Sequence, residues 1–172
     1  MGLLLLAACT PNAPVSTHHA ALATPIPATV APLTFQPGPA AVVAAGGCGS
    51  STVYSDGIPA SLDEAGGHNN PNLPYVVANP PIAAGFLFAY PLKSGPIGNK
   101  ILWVVGAPRH GEPIAIDAHP YGADQPIVYF NKDANSSPGE IYPSGIVVPS
   151  AGCWVLSLRW GTNRAEADLV FG

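Results

Sequence analysis

Asp117 and His119 are the pair whose types and spacing could do chemistry together. They stand at i and i+2, so on a strand they share a face and could co-ligate a cation or work as an acid–base pair. A polar pair facing solvent at a strand end is the plainer reading, because Pro120 follows at once and cannot donate to a ladder. Asp63, Glu64 and His68 make a second cluster, two adjacent carboxylates and an imidazole in a Gly/Asn-rich stretch. It could hold a cation, although adjacent carboxylates in such a loop are ordinarily just solvated. Arg109-His110-Gly111-Glu112 reads as a charged turn, and His18-His19 could touch a metal but, as two histidines on a flexible proline-rich stretch, make a weak site. Asp117, His119, His68 and His110 are therefore the candidate ligand or metal residues. None of them completes the set of three or four ligands that a structural or catalytic metal needs.

The recognisable catalytic and cofactor motifs are absent. The chain has no G-x-S-x-G elbow, no HExxH, no G-x-x-x-x-G-K-[ST] and no G-x-G-x-x-G. A blue-copper site needs a Cys with a nearby His and Met, but Cys153 leads into Trp-Val-Leu-Ser-Leu-Arg-Trp and the sole methionine is Met1. No enzyme activity and no cofactor are implied. With six Lys and Arg against ten Asp and Glu, a net charge of -4 offers no basic surplus for phosphates, which argues against nucleic acid.

The elements that must position these residues are strands. The 172 residues include 19 glycines and 21 prolines, nearly a quarter of the chain, which disfavours long helices. From Gly46 onward, short apolar runs alternate with Pro, Gly, Asn and Asp. Eight of them read as strands: 75–78, 85–90, 101–105, 114–116, 127–130, 146–148, 153–160 and 165–171. In the clearest, Trp154, Leu156, Leu158 and Trp160 point one way while Ser157 and Arg159 point the other. Gly161-Thr162-Asn163-Arg164 then turns the chain, and Ala165, Ala167, Leu169 and Phe171 return with one buried face. Trp103, Trp154 and Trp160 all fall inside strand patterns as core residues. The expected fold class is all-β, an antiparallel β-sandwich.

Ahead of it lies a different composition. Leu6-Ala7-Ala8-Cys9 resembles the lipobox of bacterial lipoproteins, a branched aliphatic and two small residues before a cysteine. The resemblance implies acylation of Cys9 after cleavage before it, a membrane anchor and an extracytoplasmic location on the bacterial cell membrane. Signal peptides open on Lys or Arg and carry a longer apolar stretch, whereas here no charged residue precedes Asp56. Residues 1–8 accordingly read as the remnant of a signal peptide. Residues 9–45 read as a disordered Ala/Pro/Thr-rich tether, and 46–172 as the folded domain. On this division a chain starting at Gly46 keeps the stability of the whole, because the tether buries little.

With Cys9 acylated, Cys48 and Cys153 remain, and an even pair in an extracytoplasmic domain is most simply a disulfide; the alternatives are two buried thiols and a metal site, for which no CxxC or His partner lies close to either Cys. Cys153 has the opposite parity to Trp154, so a bond there fastens an incoming segment to the outside or edge of the sheet. The run Pro149-Ser150-Ala151-Gly152-Cys153-Trp154, with the Trp-bearing stretch 98–105, is similar to bacterial surface lipoproteins with an immunoglobulin-like C-terminal domain. The likeness covers residues 48–171 and implies an immunoglobulin-like sandwich, but no activity carries over from it. The expected function is a non-catalytic, lipid-anchored module acting on a protein or cell-wall partner. A small-ligand- or metal-binding accessory lipoprotein of the envelope is the rival.

Overall fold

The computed structural model describes residues 33–63, 72–106, 111–134 and 141–172. Ten strands and one short helix follow in the order β1 (Val42–Ala44), β2 (Val53–Ser55), α1 (Ala60–Asp63), β3 (Tyr75–Val77), β4 (Ala83–Leu87), β5 (Asn99–Val105), β6 (Ile114–Pro120), β7 (Val128–Lys132), β8 (Ile141–Ile146), β9 (Gly152–Trp160) and β10 (Asn163–Phe171). They form two antiparallel sheets. The larger has the order β1-β2-β3-β4-β5-β8, the smaller β10-β9-β6-β7. The neighbours β4–β5–β8 and β10–β9–β6–β7 are those of strands A–B–E and G–F–C–C′ in an immunoglobulin-type sandwich, with β1 to β3 extending the first sheet outward.

Alternation builds the core between the sheets. Trp154, Leu156, Leu158 and Trp160 of β9 face Ile101, Trp103 and Val105 of β5 within one buried cluster that also takes in Ala165, Ala167, Leu169 and Phe171. Trp103 lies across from Gly85 in the β4–β5 ladder. A Cβ on Gly85 would come within 2.7 Å of the Trp103 ring, so only glycine leaves room for it. Trp154 also donates its Nε1–H to the Ser150 carbonyl at 2.9 Å, tying the start of β9 to the turn before it.

Each of the eight strands read from the sequence overlaps an observed one, but 85–90 is displaced to 83–87 and 146–148 meets β8 only at Ile146. Strand β8 runs Ile141–Ile146 and contains Pro143 opposite Leu102. Proline is tolerated because β8 is the last strand of its sheet.

The boundary at Gly46 does not hold: residues 33–45 belong to the fold. Leu33 donates its N–H to the Gly106 carbonyl and Phe35 to that of Pro81, at 2.9 and 2.7 Å. Phe35, 1% exposed, anchors a second buried cluster with Leu62, Tyr75, Ala84, Phe86 and Val104 on the far face of the larger sheet. This cover explains why all five residues of β4 are buried and its sequence does not alternate. Tyr75 stacks on Tyr54 at 5.6 Å between ring centroids and donates its hydroxyl to the Gly57 carbonyl at 2.8 Å. Burial, with Tyr54 beside it, pushes the Tyr75 phenol up to about 12. The physical reason for the shifted boundary is that prolines punctuate this segment without emptying it of anchors. Between Pro39 and Gly46 the chain is free to pair, and there β1 forms.

Candidate functional site

Antiparallel register gives the sandwich two ends. The loops 88–98, 121–127 and 147–151 cap one end, where β4, β6 and β8 finish. The Leu33 and Phe35 backbone enters at the other, beside the end of β5 and the turn before β4. At the capped end the three loops surround an open groove of about 510 Å³, walled by Pro96, Pro126, Ile127, Val128, Val147 and Pro149 with no charged residue in its lining. Volume and apolar character are those of a pocket for a drug-sized group or a short peptide segment.

A buried asparagine shapes this end. Asn99, 2% exposed, accepts from the Lys93 N–H at 2.6 Å and donates to the carbonyls of Lys93 and Ile146 at 2.7 and 3.0 Å. Loop 88–98 is thereby folded back over the core. Gly95 N–H then reaches the Val148 carbonyl, while Ser94 and Leu92 pair with the backbone of Gly172. Leu92 plugs the core, leaving the following Ile97 75% exposed beside the groove wall formed by Pro96. Phe88 and Tyr121 are also exposed at this end, and Lys100 lies over the Phe88 ring at 4.5 Å from its centroid. Asn99→Ala removes the acceptor of the Lys93 N–H and the side-chain donor to the Lys93 and Ile146 carbonyls. It is expected to cost about 1–3 kcal/mol and to raise amide hydrogen exchange selectively in residues 93–98, which exchange mass spectrometry reads peptide by peptide.

The residues singled out by spacing lie elsewhere. Asp117 and His119 do share the outward face of β6, but each turns to its own partner. Asp117 forms an ion pair with Arg159 of β9, and His119 donates Nδ1–H to the Ala123 carbonyl at 2.9 Å, with the Pro120 carbonyl at 3.1 Å. Among the described residues no group of three or more His, Cys, Asp or Glu is placed to hold a metal ion. His68 and His110 fall outside the described residues, as do Cys9, Glu64 and His18-His19. Cys48 and Cys153 are bonded, with their Cα atoms 6.0 Å apart. No helix among the described residues is long and apolar enough to cross a membrane.

Sequence reasoning missed the groove, because it is assembled from three loops rather than from a motif. The one legible signal is that prolines and branched aliphatics recur in all three, at Pro96-Ile97, Pro126-Ile127-Val128 and Val147-Val148-Pro149. Comparison of the chain with protein-family models, with curated proteins and with solved structures finds no match.

Proposed function

We propose that this protein is a non-catalytic, extracytoplasmic module, anchored to the bacterial membrane by acylated Cys9, that binds a partner protein of the envelope through the apolar groove. The groove is the observation that carries the reading. It concentrates uncharged apolar surface at the end of the sandwich away from the one the N-terminal segment enters, where a tethered domain would present it outward. The occupant that suits it is an uncharged, extended apolar segment, since no lining residue offers a charge to pair. The Leu6-Ala7-Ala8-Cys9 pattern supports the anchor, and an intramolecular disulfide suits an oxidising compartment.

Two measurements test it. Mass spectrometry of the mature N-terminal peptide is expected to find diacylglycerol on Cys9, and an unmodified Cys9 in membrane-extracted protein would remove the anchor. A photo-crosslinking residue at Ile97 is expected to give one discrete protein adduct on cells that Val147→Asp abolishes and that the same residue placed at Tyr129 does not give. Equal adducts from both positions, or an adduct indifferent to Val147→Asp, would remove the groove from the function.

A further inference from the structure

On the outward face of the smaller sheet two arginines and two carboxylates form a grid in which Arg159 and Asp117 make the one ion pair among described residues. Register sets Arg159 directly opposite Arg164, and Ser157 directly opposite both Glu166 and Asp117. In a chain with only six Lys and Arg and ten Asp and Glu, four of them gather here. Two like charges facing each other across a ladder are destabilising, so packing alone does not account for the arginine pair.

The pairings inside the grid leave a defined remainder. Asp117 holds the Arg159 guanidinium, yet the Arg159 Nε–H is shut off from solvent without a hydrogen-bond partner. Among the described residues the Glu166 carboxylate accepts only the Ser157 hydroxyl, at 2.9 Å. Neither Glu166 nor Arg164 forms an ion pair with a described residue, though they stand two apart on the same strand. One unmatched cation and one unmatched anion thus flank a single notch of about 230 Å³, walled by Asp117, Ser157, Arg159, Arg164 and Glu166 over the Leu158–Ala165 backbone pair. At about 30 Å³ per water, this is room for a small ligand and not for a polymer.

We infer that this notch binds a small zwitterion of the free α-amino acid class. Its carboxylate lies between the guanidiniums of Arg159 and Arg164, whose planar forks suit a carboxylate, and its ammonium points to Glu166. A simple anion is repelled by Glu166, and a simple cation by the arginine pair. A ligand carrying both charges answers both. The notch lies on the sheet face toward the β9–β10 turn, apart from the groove, and stands or falls without it.

Titration of the disulfide-bonded protein with glycine, acetate or methylammonium at matched ionic strength, read at the Arg159 and Arg164 Nε–Hε resonances, tests the inference. Glycine is expected to give saturable shifts, with acetate and methylammonium each about tenfold weaker or more. Arg164→Gln and Glu166→Gln are each expected to weaken glycine about tenfold, the scale of one charge-assisted contact, without moving the melting temperature. Lys132→Gln, outside the notch, leaves glycine binding as it is. Shifts with glycine no different from those with sodium chloride, acetate binding as tightly as glycine, or either notch variant binding like the parent would overturn it.

Discussion

A chain beginning at Gly46 is expected to melt roughly 10–20 °C below one beginning at Leu33. The difference follows from what residues 33–45 bury. Phe35 packs against Leu62, Tyr75, Phe86 and Val104, and truncating a buried phenylalanine to alanine costs about 3–5 kcal/mol. Removing the segment also strips β1 from β2, leaving Val53, Tyr54 and Ser55 without their ladder partners Ala44, Val43 and Val42. In a domain of this size each kcal/mol moves the midpoint by about 2–4 °C, and by more in smaller ones. Phe35→Ala in the full chain is expected to reproduce most of the loss, which separates the side chain's burial from the strand's pairing. Circular dichroism melts of the three proteins decide it. Equal midpoints for the chains starting at Leu33 and Gly46 would mean that the cluster behind the larger sheet adds nothing to stability.

A lower midpoint for the chain starting at Gly46 would reverse the sequence expectation, and the reason is instructive. Composition over 36 uncharged residues rich in Pro, Ala and Thr argues for an extended linker, and one phenylalanine barely alters such an average. Burial is decided residue by residue. Phe35 has a place because Tyr75, Ala84 and Phe86 project from the far face of the larger sheet and need cover. That need was visible only as a failure of alternation around Ala83–Leu87, where every position is apolar or Gly. The β9–β10 hairpin, by contrast, was legible. On β9 its inward face carries Trp154, Leu156, Leu158 and Trp160 against outward Ser157 and Arg159, and a one-residue slip would turn those four large side chains outward. Two outward residues facing each other depart from the pattern: Val155 and Asp168 are both buried, although their parity points to solvent. For Asp168 the cover comes from residues 49–51, more than a hundred positions away, which strand periodicity cannot register.

The candidate site divides in the same way. Asp117 and Arg159 were readable as outward residues of two strands. Their pairing required knowing that β6 and β9 are neighbours, a fact about topology that spacing along either strand does not contain. The arginine pair was missed because the turn was read as spanning 161–164; β10 instead begins at Asn163, and the two-residue turn at 161–162 sets Arg159 opposite Arg164. The groove at the capped end was out of reach, because each of its three loops is an ordinary proline turn until they converge.

Replacing Cys48 and Cys153 by alanine is expected to lower stability by about 2–5 kcal/mol while leaving the strand content unchanged. The bond closes a separation of 105 residues, for which lost chain entropy in the unfolded state gives roughly 4–5 kcal/mol. Its position says what else goes with it. Cys153 lies on the outward face of β9 beside Val170, so the bond fastens a strap, residues 46–51, along β10. It does not join the two sheets through the middle, as the bridge of antibody domains does. The strap has holds of its own. Val170 N–H reaches the Gly46 carbonyl at 2.8 Å and Cys48 N–H the Asp168 carbonyl at 3.2 Å. The Asp168 carboxylate accepts from the Ser50 N–H at 2.8 Å and its hydroxyl at 3.1 Å, while Asp168 N–H reaches Ser51 Oγ at 2.7 Å. Gly49, at φ +53, takes the chain past that carboxylate where a Cβ would collide with it. These bonds keep the strap seated when the disulfide is cut, but each can now open singly. Hydrogen exchange is therefore expected to rise at residues 46–51 and 168–170 well before it rises in β5 or β6. Thiol titration of the denatured chain complements it, with at most one reactive thiol before reduction and three after reduction of an unacylated chain. Three thiols without reductant would dissolve the bond, and exchange rising uniformly across both sheets would show that it holds the sandwich together and not the strap alone.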